Sequence, residues 1–170
     1  MLRVHHKILE KDNNSRLLDR YTIFNNSIFR KKIKYLFIGL NPSASNDEFT
    51  DKTNLWIINW IVKKDKSGGY YLTNLYTNIS PISSTKKTKN KKINLIINKY
   101  KKLEICVFYG ANEAKSGVEL SNETKAIFEK AKKEHRLFMT CDGEKFHHIS
   151  MASSNIKIDE CKNLSDIGIN

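Results

Sequence analysis

The chain has 170 residues, enough for one domain with a real core, and its 39% hydrophobic content excludes a compositionally disordered chain. The net charge of +12 points to nucleic acid as a partner, although a composition loaded with Lys, Asn and Ile is also what an AT-rich genome produces. No stretch reaches membrane-spanning length, and Met1-Leu2-Arg3-Val4-His5-His6 lacks the apolar run of a signal peptide, so a cytoplasmic protein without a membrane partner is expected.

The first thirty residues carry weak signals. Arg3 to Leu9 fits an edge strand, and Ser15 to Phe29 has no clean period. The apolar run Ile33 to Leu40, stopped by Asn41-Pro42, predicts a buried central strand. After a polar stretch, Lys52 to Lys64 reads as a helix buried on one side and ended by Ser67-Gly68-Gly69. Tyr70 to Leu75 predicts a second strand, followed by a loop from Asn78 to Lys89 that contains Ser80 and Pro81. Ile93, Ile96, Ile97 and Tyr100 fall at i, i+3, i+4 and i+7, the mark of an amphipathic helix.

Ile105 to Tyr109 predicts a third strand, ended by Gly110. Ser121 suits the cap of a helix running to about Glu134. Leu137 to Cys141 predicts a fourth strand, and the tail after Ser153 reads as irregular. Strands alternating with helices imply a parallel sheet with right-handed crossovers. The expected domain therefore spans residues 1–170, with a four-stranded parallel core sheet and peripheral ends.

The three cysteines, Cys106, Cys141 and Cys161, are odd in number and widely spaced. That argues against a disulfide framework and against a four-cysteine metal site. Adjacent histidines without Cys or Asp partners are a weak metal signal, so neither a metal nor a cofactor is expected.

In open α/β sheets, ligands bind beyond the carboxyl ends of the strands. Here those ends carry Asn41-Pro42-Ser43, then Asn74, then Gly110-Ala111-Asn112, then Gly143 followed by His147-His148-Ile149-Ser150. An amide inside an apolar strand, as at Asn74, is costly unless something satisfies it. There is no Walker loop, no GxGxxG and no GxSxG elbow. Asn, His, Ser and backbone groups are suited to positioning a water, reading a base edge and stabilising an anion.

Each candidate has a bland alternative. Asn41 before Pro can be a turn former. Asn74 can bond a neighbouring loop, His147 can be a satisfied structural histidine, and Ser43 can cap the next segment. Lys86-Lys87-Thr88-Lys89-Asn90-Lys91-Lys92 is either a DNA contact or a solvated loop and helix start.

Five short motifs in order carry a resemblance: Leu40-Asn41-Pro42-Ser43, Asp51-Lys52-Thr53, Thr73-Asn74-Leu75, Tyr109-Gly110-Ala111-Asn112, and Gly143 followed by His147. They resemble an uncharacterised bacterial family whose pattern is LNPS, D-x-T, NL, W-G-N and G-x-P-x-H-P, over about Arg3 to Ser153. More distantly, the chain resembles the uracil-DNA glycosylase superfamily. Gly39-Leu40-Asn41-Pro42 is similar to its GINP motif, and His147-His148-Ile149-Ser150-Met151 stands in the place of its HPSPL motif.

That resemblance implies a three-layer α/β/α sandwich and roles for particular residues. Asn41 would orient the attacking water and Asn74 would read the uracil edge, within a pocket that includes Gly39 and Leu40. His147 would donate to uracil O2, and Phe49 is the nearest candidate for the stacking aromatic. Pro42, Ser43, Ser80, Pro81, Lys86, Lys87, Lys89, Gly110, Asn112, His148, Ile149 and Ser150 would meet phosphate or DNA. His148 and Ser150 depart from the family pattern. The expected function is DNA binding with recognition or excision of a base such as uracil, an N-glycosidic hydrolysis in DNA repair. The alternatives are a non-catalytic binding module, such as a mobile genetic element would carry, and an enzyme acting on a free nucleoside or nucleotide.

Overall fold

The computed structural model describes residues 2–11, 17–26, 33–41, 52–65, 69–76, 89–143, 145–146, 148 and 156–170, with backbone only in the first two segments. It is a mixed α/β structure. In chain order the elements are β1 (Leu2–Lys11), β2 (Leu17–Asn26), β3 (Ile33–Gly39), α1 (Lys52–Asp65), β4 (Gly69–Asn74), α2 (Ile93–Lys99), β5 (Glu104–Val107), α3 (Ala111–Ser116), α4 (Asn122–Lys133), β6 (Leu137–Asp142), β7 (Lys145–Phe146) and β8 (Lys157–Glu160), before a 3-10 helix at Leu164–Ile167.

One sheet runs in the order β1-β2-β4-β3-β5-β6-β7, with β8 also paired to β6. Pairing is parallel for β3 with β4, β3 with β5, and β5 with β6. It is antiparallel for β1 with β2, β2 with β4, and β6 with both β7 and β8. The sheet is therefore mixed, and antiparallel strands extend it beyond the four-stranded parallel core that was expected. The antiparallel strands come from segments whose sequence has little period of its own. Their pairing is supplied by the neighbouring strand.

β3 lies at the centre because it is apolar on both faces. Tyr35, Leu36, Phe37 and Ile38 are all buried. Alternate side chains feed two apolar clusters. Tyr35 and Phe37 join Tyr70, Leu72, Cys106 and Phe108 under Ile57, Ile58 and Ile61 of α1. Leu36 and Ile38 join Ile105 and Val107 under Ile93 and Ile97 of α2 and Phe128 and Ala131 of α4. Right-handed crossovers explain this split, because β4 lies on one side of β3 and β5 on the other. α1 therefore covers one face, and α2 and α4 cover the other.

Local capping agrees with the sequence at α4. The Ser121 Oγ accepts from the Thr124 amide at 3.2 Å, and Lys130, Lys132 and Lys133 occupy the last turn, where cations suit the helix dipole. The tail departs from the expected irregular, peripheral segment. Lys157–Glu160 extends the sheet, and Cys161, Leu164, Ile167 and Ile169 are buried in the second cluster. Tyr109 donates its hydroxyl to the Ile167 carbonyl at 2.7 Å, which ties the tail to the end of β5. All three cysteines are free and buried. Among the described residues, no helix is long and apolar enough to cross a membrane.

Candidate functional site

The order β4-β3-β5 reverses the chain direction of travel at β3, which makes the carboxyl ends of β3 and β5 the place where a crevice forms. Backbone pairing runs on past the strands. Leu75 and Tyr76 donate to the carbonyls of Gly39 and Leu40, each at 3.0 Å, and the Phe108 amide donates to Ile38 at 2.9 Å. Gly39 and Asn74 are register partners. By strand alternation, Asn74 shares the α1 face with Leu72 and Tyr70, and Gly39 shares it with Phe37 and Phe108.

Gly39 is glycine because this spot is full. A Cβ there would lie 2.6 Å from Phe108 Cζ and 2.7 Å from Asn74 Oδ1. Asn74 is only 4% exposed. Among the described residues, no hydrogen bond engages its side-chain amide. Its backbone carbonyl is held instead, by Asn90 Nδ2 at 2.9 Å. Asn41 follows two residues after Gly39. It is half-buried, with its Oδ1 withdrawn from solvent.

Gly110 takes φ 92°, a left-handed conformation that glycine adopts without strain. A Cβ there would sit 3.2 Å from His148 Cβ. The His148 ring tilts against Phe108 with centroids 5.8 Å apart. Burial pushes the His148 imidazole below its ordinary range, which favours its neutral form. On the same face, Tyr70 donates to Asn54 of α1 at 2.7 Å, which pins the helix against β4.

The strand-end pattern thus brings Gly39, Asn74, Gly110 and His148 together, with Asn41 at the same edge. It does not bring Leu40, whose side chain is buried in the α2–α4 cluster on the other face. Asn112 is exposed on α3, and its carbonyl accepts from Ser116 at 3.0 Å. Lys89 is exposed and paired with Glu119. Pro42, Ser43, Phe49, Ser80, Pro81, Lys86, Lys87, His147, Ile149 and Ser150 lie outside the described residues.

Two residues at this edge escaped the site expected from sequence. Phe108 reads there as an ordinary strand residue, yet its ring forms one wall beside Asn74. Its parity with Cys106 on β5 is the signal that finds it. Asn90 is 4% exposed and uses every polar group it has. Besides the bond to Asn74, its Nδ2 lies 3.5 Å from Thr73 Oγ1, and its Oδ1 accepts from the Lys92 amide at 3.0 Å. Its own amide donates to Leu75 at 2.8 Å, and its carbonyl accepts from Ile93 at 3.1 Å. Sequence offers no such signal for Asn90, which sits inside a lysine run.

These strand ends bring together an amide, an imidazole and an aromatic ring. Such a set can read the donor and acceptor edge of a flat heterocycle and hold an anion as it forms. Among the described residues, no three His, Cys, Asp or Glu side chains come together as metal ligands. The profile of a family described as "Protein of unknown function (DUF1643)" matches residues 20–149, most of the chain. No curated protein and no solved structure matches it.

Proposed function

We propose that this chain, which belongs to the DUF1643 family of proteins of unknown function, is a DNA-binding protein that recognises and excises a base such as uracil. On this reading its fold is the three-layer α/β/α sandwich of the uracil-DNA glycosylases. The carrying observation is Asn74. Its side chain stands at a strand end beside Phe108 and Gly39, on a residue only 4% exposed, where a base edge could meet it. A bound base edge would supply both a donor and an acceptor to that amide. Uracil offers an N–H and a carbonyl to one Asn amide. Cytosine offers the opposite pattern and is refused.

In the reaction, the base leaves its stack and enters the cleft. Water adds to C1′ of the sugar while the C1′–N1 bond breaks, the bond's electron pair departs on the base, and the proton that the water loses ends, through solvent, on the base anion. Asn41 holds that water through its side-chain oxygen. His147 donates to the developing anion at O2, and the neutral His148 beside Phe108 walls the pocket. Asn41 cannot take the water's proton as a carboxylate would, so turnover is slow. Lysines of the 86–89 segment contact phosphate.

The test uses single- and double-stranded oligonucleotides with one uracil, read by alkaline cleavage at abasic sites. The expected result is weak excision that Asn41→Ala abolishes and Asn41→Asp accelerates. If both the wild type and Asn41→Asp are inert while uracil-selective binding persists, the chain is a binding module and the excision step is wrong. If binding to DNA shows no salt dependence, or the slope is unchanged when Lys86, Lys87 and Lys89 are neutralised, those lysines are not phosphate contacts.

A further inference from the structure

A cavity of about 270 Å³ opens at the amino ends of β5 and β6, the far end of β5 from Gly110. Lys101 and Lys102 lead into β5, Glu134 and Arg136 lead into β6, and Ile127 and Lys130 of α4 complete the lining. Four cations thus surround one carboxylate.

Arg136 builds the frame. Its Nε donates to Glu134 Oε2 at 2.9 Å and its Nη2 to the same oxygen. Its Nη1 donates to the carbonyls of Leu103 at 2.7 Å and Lys101 at 3.2 Å. The guanidinium therefore takes up the carboxylate and two loop carbonyls that would otherwise repel an anion. The lysines keep their charge for something else. Lys101 donates to a neutral oxygen, Asn98 Oδ1, at 3.2 Å. Lys130 stands 3.8 Å from Glu134 Oε1 with 73% of its side chain exposed. Lys102 is exposed and has no ion-pair partner among the described residues.

Lysines at a helix end ordinarily answer its dipole and its open carbonyls. That account covers little of this cluster. The end of α4 is capped by its own backbone, since the amides of Glu134, His135 and Arg136 donate to the carbonyls of Lys130, Lys132 and Ala131 at 3.0, 3.0 and 2.8 Å. Lys101 and Lys102 lie beyond α2, whose last-turn cation is Lys99.

We propose that this cavity binds a ligand with adjacent phosphate groups, supplied by a nucleic-acid backbone or by a free polyphosphate. An ammonium group is a compact charge on a flexible stem and meets phosphate oxygens without a fixed geometry. Ile127 is the one apolar side chain of the lining, too little to hold a base, so recognition rests on charge and reads no sequence. The site shares no residue with the Asn74 cleft or with the 86–89 segment, and it stands whether or not a base is excised.

The test is calorimetric titration of the full chain with inorganic triphosphate at low salt. The expected result is saturable binding that added salt weakens. Lys102→Gln combined with Lys130→Gln should weaken it about tenfold, as for lost bonds to charged groups. Lys115→Gln combined with Lys162→Gln, an equal loss of charge elsewhere on the surface, should leave it nearly unchanged. Glu134→Gln should tighten it, because the carboxylate is the one repulsive charge in the lining. Amide NMR of the wild type should show shifts at Lys102, Leu103 and Arg136, and this arm does not depend on a variant that folds. A uracil-free single-stranded oligonucleotide that displaces the triphosphate supports the site and identifies a nucleic-acid backbone as its source. Triphosphate bound without displacement supports it and identifies a free polyphosphate. No triphosphate binding at millimolar concentration, an equal loss in both double variants, or shifts at Gly39 and Gly110 instead would overturn the assignment.

Discussion

Gly39→Ala probes how tightly the cleft is built. The new methyl would stand 2.6 Å from Phe108 Cζ, 2.7 Å from Phe108 Cε2 and 2.7 Å from Asn74 Oδ1. Carbon atoms pack at about 3.5–4.0 Å, so the ring must retreat by about 1 Å. It has nowhere to go. Phe108 is 2% exposed and packs against Phe37 and His148, with centroids at 6.3 Å and 5.8 Å. Overpacking of this kind costs about 1–3 kcal/mol. Loss of glycine's freedom in the unfolded chain offsets about 0.4–1 kcal/mol. The net is a destabilisation of roughly 1–2 kcal/mol, or a Tm lower by about 2–8 °C for a chain of this size. Circular dichroism melts measure it. Repeating the substitution in a Phe108→Leu background should cut the cost by about 1 kcal/mol, because the shorter side chain leaves room. Equal stability of Gly39→Ala and wild type, or an equal cost in both backgrounds, would refute the claim that this contact demands glycine.

Asn74→Leu should raise stability by about 1–2 kcal/mol, since it exchanges a buried amide for an apolar side chain of similar size, while abolishing uracil-selective binding; a lowered Tm would mean that the amide is structurally satisfied. Asn90→Ala strips the Asn74 carbonyl and the Lys92 amide of their partners and should cost about 2–4 kcal/mol in urea unfolding. Asn90→Asp, which still accepts but cannot donate when ionised, should fall between, and an Asp as damaging as Ala would point to the Thr73–Asn74 side alone. The His148 imidazole is held below its ordinary value of 6.5 by burial. The unfolded chain therefore binds that proton first, so this contribution is complete above pH 6.5 and is lost as pH falls through and below it. His148→Gln should flatten the fall in urea midpoint between about pH 7.5 and 5, and an unchanged slope would rule His148 out as its source.

The central strands were legible because burial on both faces leaves an unbroken apolar run, as in Tyr35 to Ile38. α2 was legible from the spacing of its isoleucines, and α4 from Ser121. β8 was not. Of Lys157–Glu160 only Ile158 is apolar, and the segment is a strand because Phe138 to Cys141 offer it an edge. The tail's buried Cys161, Leu164, Ile167 and Ile169 are too sparse to form a period. At the site, Gly39 and Asn74 could be paired in advance because each closes an apolar run at the same edge. Asn90 could not, since its bonds depend on where the chain returns after residue 88, and Leu40 shows the cost of ignoring parity. One step past Gly39, the side chain faces the opposite core.

The sheet's outer strands come from the two ends of the chain, and that bears on how it is made and how it fails. Asp19 to Thr22 pair with Tyr70 to Thr73, so the early hairpin can close on itself but cannot dock until β4 has left the ribosome. At the far side, the rim of β6 stays open until Lys157–Glu160 arrives. Such distant pairings slow folding and leave unpaired backbone exposed for a time. A fragment trimmed at the N-terminal end would bare the β4 rim, and one trimmed before Lys157 would bare β6 and also lose the buried Cys161, Leu164, Ile167 and Ile169; an open rim of either kind is a template for joining one molecule to the next. In this chain the least patterned segments act as the selvedge of the sheet.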